Sequence, residues 1–328
     1  MTARRRAGFC FLPCLFGCMV QPIPAAAQTV PAPPPAPPTQ QPLSDAWWTG
    51  PMLANSAETL PPGHFLFEPY LYDIRTPHTD SFGSRTYILY GLVDRLSVGL
   101  IPVFGYNKLS NGPNSSGMGI GDWTVQAQYR LSEFQQGSWM PTTAIQLQET
   151  FPTGKYDQLG NRPADGLGSG TYTTTLAFNS QMYFWLPNGR ILRTRLDISE
   201  AFSRSTRVKD ASVYGTDNGF RGMAKPGNAF FADLAFEYSM TQRWVWALDF
   251  TYSHNDNTRV SGLMDPSNLP YPQNVRMNSG SSTSFGVAPA IEYNWTPAIG
   301  VLLGTRVIFG GHNSTGSVTP AVALNYVY

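Results

Sequence analysis

The chain has 328 residues, 22 of them Lys or Arg and 21 Asp or Glu, for a formal net charge of +1. Its three cysteines, Cys10, Cys14 and Cys18, all fall in residues 1–27 with three of the basic residues, so the remainder carries 19 basic against 21 acidic groups, a net charge of −2. This balance offers no basic surface for nucleic acid, and residues 28–328 have neither a disulfide nor thiol chemistry.

Residues 1–27 read as a secretory signal: Arg4, Arg5 and Arg6 precede an apolar run from Phe9 to Val20, and Ala25, Ala26 and Ala27 precede Gln28. Cleavage after Ala27 is the main reading. Lipid attachment at Cys18 is the second, resting on Leu15, Phe16 and Gly17 ahead of it, although Phe16 is bulkier than such cleavage sites usually carry. The arginine pair resembles a folded-export signal, which a barrel that crosses the periplasm unfolded could not use. Residues 28–63 form a periplasmic linker and a transition. Pro31, Pro33, Pro34, Pro35, Pro37, Pro38 and Pro42 make residues 30–43 an extended, semi-rigid spacer. Residues 44–63, with Trp47 and Trp48, lie either in the periplasm or in the mouth of a barrel. No stretch reaches the roughly 18 apolar residues that a membrane helix needs, so entry into a membrane has to be by strands.

From His64 onward the hydrophobic pattern alternates with period two. It predicts strands at 64–73, 84–92, 96–107, 118–131, 139–151, 170–185, 190–202, 228–239, 244–254, 282–294, 299–310 and 317–328. The fold class is therefore all-β, an antiparallel up-and-down transmembrane barrel of about 12 strands over residues 64–328. Connections alternate in length: 93–95, 132–138, 186–189, 240–243 and 295–298 are short, and the others are long and rich in Gly, Asn, Ser and Asp. Short turns belong on the periplasmic rim. Trp139, Trp185, Trp244 and Trp295, joined by Tyr238, Tyr293 and Tyr328, sit beside those turns as an aromatic girdle. A soluble sandwich would bury its tryptophans mid-strand. The last segment places Val318, Pro320, Val322, Leu324, Tyr326 and Tyr328 on one face and ends on an aromatic, as expected of a strand that closes a barrel and is read by the barrel-assembly machinery.

In the segment 244–254, Trp244, Trp246, Leu248, Phe250 and Tyr252 share a face opposite Asp249. The large apolar face meets lipid, and the charge is tolerable only in a wet lumen. The same parity points Glu68, Asp122, Asp197, Asp233, Glu237, Asp249 and Glu292 inward with Arg85, Arg130, Arg193, Arg195 and Arg306. These are the candidate lumen residues, and they are expected to pair across the lumen and narrow it, alone or with an inward-folded loop. Glu149 falls on the lipid face, near the outer rim. His64, His78, His254 and His312 lie at strand ends or in loops without a triad or metal spacing, so no enzyme, metal or cofactor is expected. The glycine-rich run at 117–121 continues into a strand, not a helix, and is no dinucleotide loop.

Several short segments carry a family resemblance: Thr49-Gly50-Pro51, Leu60-Pro61-Pro62-Gly63-His64-Phe65, Tyr90-Gly91-Leu92-Val93-Asp94-Arg95, Gly119-Ile120-Gly121-Asp122 and Phe151-Pro152-Thr153-Gly154-Lys155. Over Trp48 to Tyr328 the chain resembles the outer-membrane barrel family named for the meta pathway of phenol degradation, whose members are usually called transporters. The resemblance implies a barrel admitting aromatic or other hydrophobic solutes and carries over no catalytic or binding motif. The expected function is thus an outer-membrane channel for small hydrophobic or aromatic solutes. The alternative is a non-transporting barrel that presents its loops.

Removing the last three residues, Tyr326, Val327 and Tyr328, opens the closing ladder and leaves unpaired backbone groups facing lipid, at several kcal/mol each. The truncated protein should accumulate in the periplasm or be degraded. A normal heat-modifiable band in the membrane fraction would contradict the closing role.

Overall fold

The computed structural model describes residues 39–265 and 271–328; the segment expected to be a signal sequence and most of the proline tract lie outside the described residues. The barrel begins with β1 (Phe65–Arg75), β2 (Thr79–Val93), β3 (Leu96–Ile101), β4 (Val103–Leu109), β5 (Gly119–Ile120), β6 (Trp123–Ser132), β7 (Thr142–Phe151), β8 (Thr173–Trp185) and β9 (Ile191–Ser203). Two short strands, β10 (Thr206–Lys209) and β11 (Phe220–Lys225), stand in the loop that follows, before β12 (Ala229–Ser239) and β13 (Trp244–Asn255). Another loop pair, β14 (Arg259–Met264) and β15 (Gln273–Asn278), precedes β16 (Ser282–Thr296), β17 (Ile299–His312) and β18 (Ser317–Val327). β3 with β4 and β5 with β6 act as single staves, and the result is a closed antiparallel barrel of 12 strands.

Closure is made by β1 and β18, with Leu66 opposite Val327, Tyr70 opposite Ala323 and Arg75 opposite Val318. Phe65 and Tyr328 exchange backbone hydrogen bonds of 3.0 and 2.9 Å, and their rings lie 5.5 Å apart. The wall is interrupted at one height, where Pro102 separates β3 from β4 and Gly121 and Asp122 separate β5 from β6. Pro102 has no N–H to give to the ladder, although its carbonyl still accepts from the Thr86 N–H at 3.2 Å and the register with β2 runs on unchanged.

Side-chain parity follows the expected rule. On β13, Trp244, Trp246 and Phe250 are exposed, while Val245, Ala247, Asp249 and Thr251 are buried. Small inward residues, Ala247, Ala288, Ala290, Ala321 and Ala323, leave room at the wall of β13, β16 and β18, and Met52 packs there. Glu149 is on the outward face, where the Thr174 hydroxyl donates to it at 2.5 Å. Trp185 departs from the girdle assignment. Its parity is that of the lumen residues Asn179 and Gln181, and its indole N–H donates to the Gln41 carbonyl at 2.8 Å. Trp244, Tyr293 and Trp295 do cluster, with ring centroids 4.7 and 5.5 Å apart.

Two further features stand at the long-loop end. The loop 152–172 folds inward: Leu167 packs on Gly105 and Gly119, where a Cβ would come within 3.1 and 2.5 Å of it. Asp165 ties this loop to 114–116, and the Ser116 backbone N–H that donates to it at 2.7 Å holds its carboxyl below the usual carboxylate range. The second feature, which the alternation does not foreshadow, is a four-stranded sheet in the order β10-β11-β14-β15, with Val208, Phe220, Ala224 and Val260 as its buried face.

Adjacent residues of β7 test the parity: Leu147 faces outward and is 49% exposed, whereas Gln148 shares the inward face with buried Gln146. Leu147→Arg should cost roughly 2–4 kcal/mol in urea titrations of vesicle-folded protein, and Gln148→Arg much less. Equal losses would refute the assignment of the two faces.

Candidate functional site

The lumen is occupied by the chain itself. Residues 41–63 enter at the short-turn rim, rise to the middle of the barrel and return to the rim at β1. At entry, the Gln41 N–H donates to the Gly189 carbonyl and the Trp47 N–H to the Gln242 carbonyl, both at 2.9 Å. At the top, the Met52, Leu53 and Ala54 N–H groups donate to the Asp249 carboxylate at 3.1, 3.2 and 3.1 Å. On the way out, the Leu60 N–H donates to the Ser97 hydroxyl at 2.8 Å and the Gly63 N–H to the Gly91 carbonyl at 2.9 Å.

Other lumen carboxylates act as Asp249 does. Glu292 accepts the Thr49 and Gly50 N–H groups at 2.7 and 3.1 Å, and Asp197 accepts that of Asn55 at 2.5 Å. Arg195 donates to the Ala54 carbonyl at 2.9 Å, and the Gln128 amide to the carbonyls of Ser56 and Glu58, each at 2.9 Å. Glu58 in turn accepts from Gln181 and Tyr183 at 2.7 and 2.9 Å. Beyond a short 3-10 helix at Leu43–Asp45 the segment is irregular and has free N–H groups, and buried carboxylates need donors; each satisfies the other. The sequence allows the close fit. Gly50 adopts φ +124° beside the Arg195 guanidinium, and a Cβ at Gly91 would collide with the Pro61 carbonyl oxygen. Trp48 lies under the Arg193 guanidinium, 4.4 Å from its ring centroid, a cation–π contact.

The twelve sequence candidates do not form one cluster. Arg193, Arg195, Asp197, Asp233, Glu237, Asp249 and Glu292 are buried together on β9, β12, β13 and β16. Pairing across the lumen is not what they do. Glu237 takes both Arg193 and Arg195, the latter at 3.1 Å, and both arginines are on the adjacent strand β9. Arg193 is the direct register partner of Glu237, so the pair forms along the wall, leaving the other acids to the inserted segment. Asp233 lies opposite Asp197, and its carboxyl oxygens make no hydrogen bond among the described residues. Glu68 accepts from Asn325 of β18 at 3.2 Å, and Arg85 lies 5.5 Å from the Tyr87 ring centroid. Asp122 anchors the inward loop by accepting the Gly154 and Ser169 N–H groups at 2.9 and 2.7 Å. Arg130 stands at the short-turn rim with Asp94 and Glu133, and Arg306 lies 5.9 Å from the Phe231 ring centroid.

Between the segment and the wall is a cavity of about 310 Å³. Met52, Leu53, Leu66, Tyr70, Tyr87 and Leu89 give it apolar and aromatic walls, with Gln126, Gln128, Arg193, Arg195, Glu58 and Glu68 as polar and charged groups. The neutral lining residues escape a reading based on charge. The signal that could have found the segment is its content of Trp47, Trp48, Met52 and Leu53, too apolar for a solvated linker.

The family described as the MetA-pathway of phenol degradation matches residues 50–326. Among solved structures, an outer membrane channel from Pseudomonas putida F1 is 16% identical, with a TM-score of 0.61 over 84% of this chain and 100% of that one. The NanC porin is 11% identical (TM-score 0.44, 79% of this chain and 98% of that one). The Pseudomonas putida toluene transporter TodX is 10% identical (TM-score 0.37, 82% and 90%). No curated protein matches the chain.

Replacing Asp249 by Ala removes the acceptor of three N–H groups while leaving the wall's ladder intact. Hydrogen exchange at residues 52–54 should then accelerate at least tenfold, given that charge-assisted hydrogen bonds contribute roughly 1.5–3 kcal/mol each. Unchanged protection would mean that the segment is held by packing alone.

Proposed function

Because the chain belongs to the MetA-pathway of phenol degradation family, which matches residues 50–326, we propose that it is an outer-membrane channel for small hydrophobic or aromatic solutes. The observation that carries this reading is the lumen cavity of about 310 Å³ with Tyr70, Tyr87, Leu66 and Leu89 in its wall. Ligand sites of this kind begin at about 300 Å³, and a dry apolar cavity of about 150 Å³ already accepts benzene. Of the polar groups in its lining, Gln128 and Arg195 are engaged with the inserted segment, and Gln126 and Glu68 are left to orient a solute that bears a hydroxyl. Residues 41–63 restrict the lumen, so a hydrophilic solute meets a narrow passage and a hydrophobic one meets a site. On this reading the protein is exported by its signal sequence, folded through its closing strand and seated with the short turns in the periplasm. It binds no cofactor and is not an enzyme.

The inserted segment also favours a second reading, a barrel closed by its own chain that serves as a surface structure. Proteoliposomes separate the two. The channel reading expects uptake of a small aromatic such as phenol to exceed that of a disaccharide, and Tyr70→Ser with Tyr87→Ser to reduce aromatic uptake several-fold without loss of heat-modifiability. Replacing residues 44–58 with a Gly-Ser linker should admit both solutes. No uptake by wild type, with uptake by the linker variant, would favour the closed barrel.

A further inference from the structure

The four-stranded sheet above β9, β12, β13 and β16 has two unlike faces. Its register sets Arg207, Met223, Ser261 and Arg276 in one row, Lys209, Arg221, Leu263 and Asn274 in the next, and Lys225, Arg259 and Asn278 in a third. All of these side chains are exposed. The opposite face is apolar and packs with Tyr214, whose hydroxyl donates to the Ser169 carbonyl; Ser169 is in turn bound to Asp122 at the head of β6. The apolar face thus turns toward the loop 152–172 at the barrel mouth. The cationic face turns away from it.

The cationic face carries six basic residues and no acid. Lys209 stands directly opposite Arg221 and Lys225 directly opposite Arg259. Like charges directly opposite on neighbouring strands destabilise a sheet. None of the six pairs with a carboxylate among the described residues. The nearby Asp157 and Asp210 are engaged with backbone, accepting the Lys209 and Gly219 N–H groups at 3.0 Å each. Among the described residues no carboxylate offsets this repulsion, so an anion from outside the chain would relieve it.

We propose that this face binds the phosphate groups of lipopolysaccharide in the outer leaflet around the barrel. Two observations select a lipid over a soluble polyanion. In the chain the four strands of the sheet directly adjoin the long-loop ends of β9, β12, β13 and β16, the end of the wall that a lipid headgroup would meet. Met223 and Leu263, exposed by 42% and 48%, stand among the cations, where a nucleic acid or sulfated sugar has no use for them and the boundary between sugar and acyl chain does. Strands about 4.8 Å apart bring directly opposite cations, Lys209 with Arg221 and Lys225 with Arg259, onto one phosphate, and guanidinium groups engage phosphate bidentately.

The test uses purified full-length protein in detergent, with rough lipopolysaccharide, the same material enzymatically dephosphorylated, and double-stranded DNA as probes. Wild type should bind intact lipopolysaccharide at least tenfold more tightly than the dephosphorylated form. A quadruple variant, Arg207→Gln, Lys209→Gln, Arg221→Gln and Arg276→Gln, should lose that preference while its thermal unfolding temperature holds or rises, because repulsion is relieved. The double variant Arg221→Gln with Arg276→Gln gives an intermediate loss and serves if the quadruple variant does not fold. Equal binding of both lipid forms, undiminished binding by the variants, or tighter binding of DNA than of lipopolysaccharide would overturn the proposal. No transport is measured, so failure here leaves the channel reading untouched.

Discussion

Buried carboxylates that accept backbone N–H groups are the constraint on which the rest of this structure depends. Asp249, Glu292 and Asp197 sit on wall strands, and the wall ladder consumes its own N–H groups. A charge held away from water needs compensation, and here it comes from the irregular stretch 49–55. That stretch could not be buried on its own, since it forms no secondary structure with which to satisfy its amides. Wall and segment therefore complete one another, and either alone would leave several polar groups unmatched.

This complementarity also fixes where space remains. The acids and the two arginines concentrate on β9, β12, β13 and β16, drawing the segment to that side. The opposite side, β1 to β3, presents Tyr70, Tyr87 and Leu89, and the cavity lies against it. A 12-stranded barrel is too wide for its side chains to fill and too narrow to leave a broad channel once a segment is inserted. The lumen is asymmetric, densely charged and occupied on one flank and mostly apolar and aromatic on the other, where Glu68 is the acid in the cavity wall, and this suits a solute that is itself mostly apolar.

The barrel is legible in the sequence because lipid imposes period two on each strand and aromatics at the rims; the expected 244–254 and the observed Trp244–Asn255 differ by one residue. Short turns and the closing strand are equally plain. The inserted segment is not, because its amides carry no sequence signal and its partners lie about 200 residues away, Ala54 to Asp249 being an example. The charge pattern tells which residues face inward but not with whom they pair: Glu237 takes its register neighbour Arg193, and Asp249 takes backbone. The place of Trp185 beside a turn points to the girdle, whereas parity within β8 decides its direction. The loop sheet escapes the alternation because strands such as Thr206–Lys209 are too short for it to register.

Occupation of the lumen by residues 41–63 is the central claim, and a disulfide tests it most directly. A Cβ at Gly300 would press against the Thr49 hydroxyl oxygen, and residues 28–328 contain no cysteine. Protein carrying Thr49→Cys and Gly300→Cys, isolated from membranes under oxidising conditions, should yield the cross-linked peptide pair in high proportion by mass spectrometry. Folded, heat-modifiable barrel with both thiols free would show that the segment lies elsewhere in the membrane and would contradict the account.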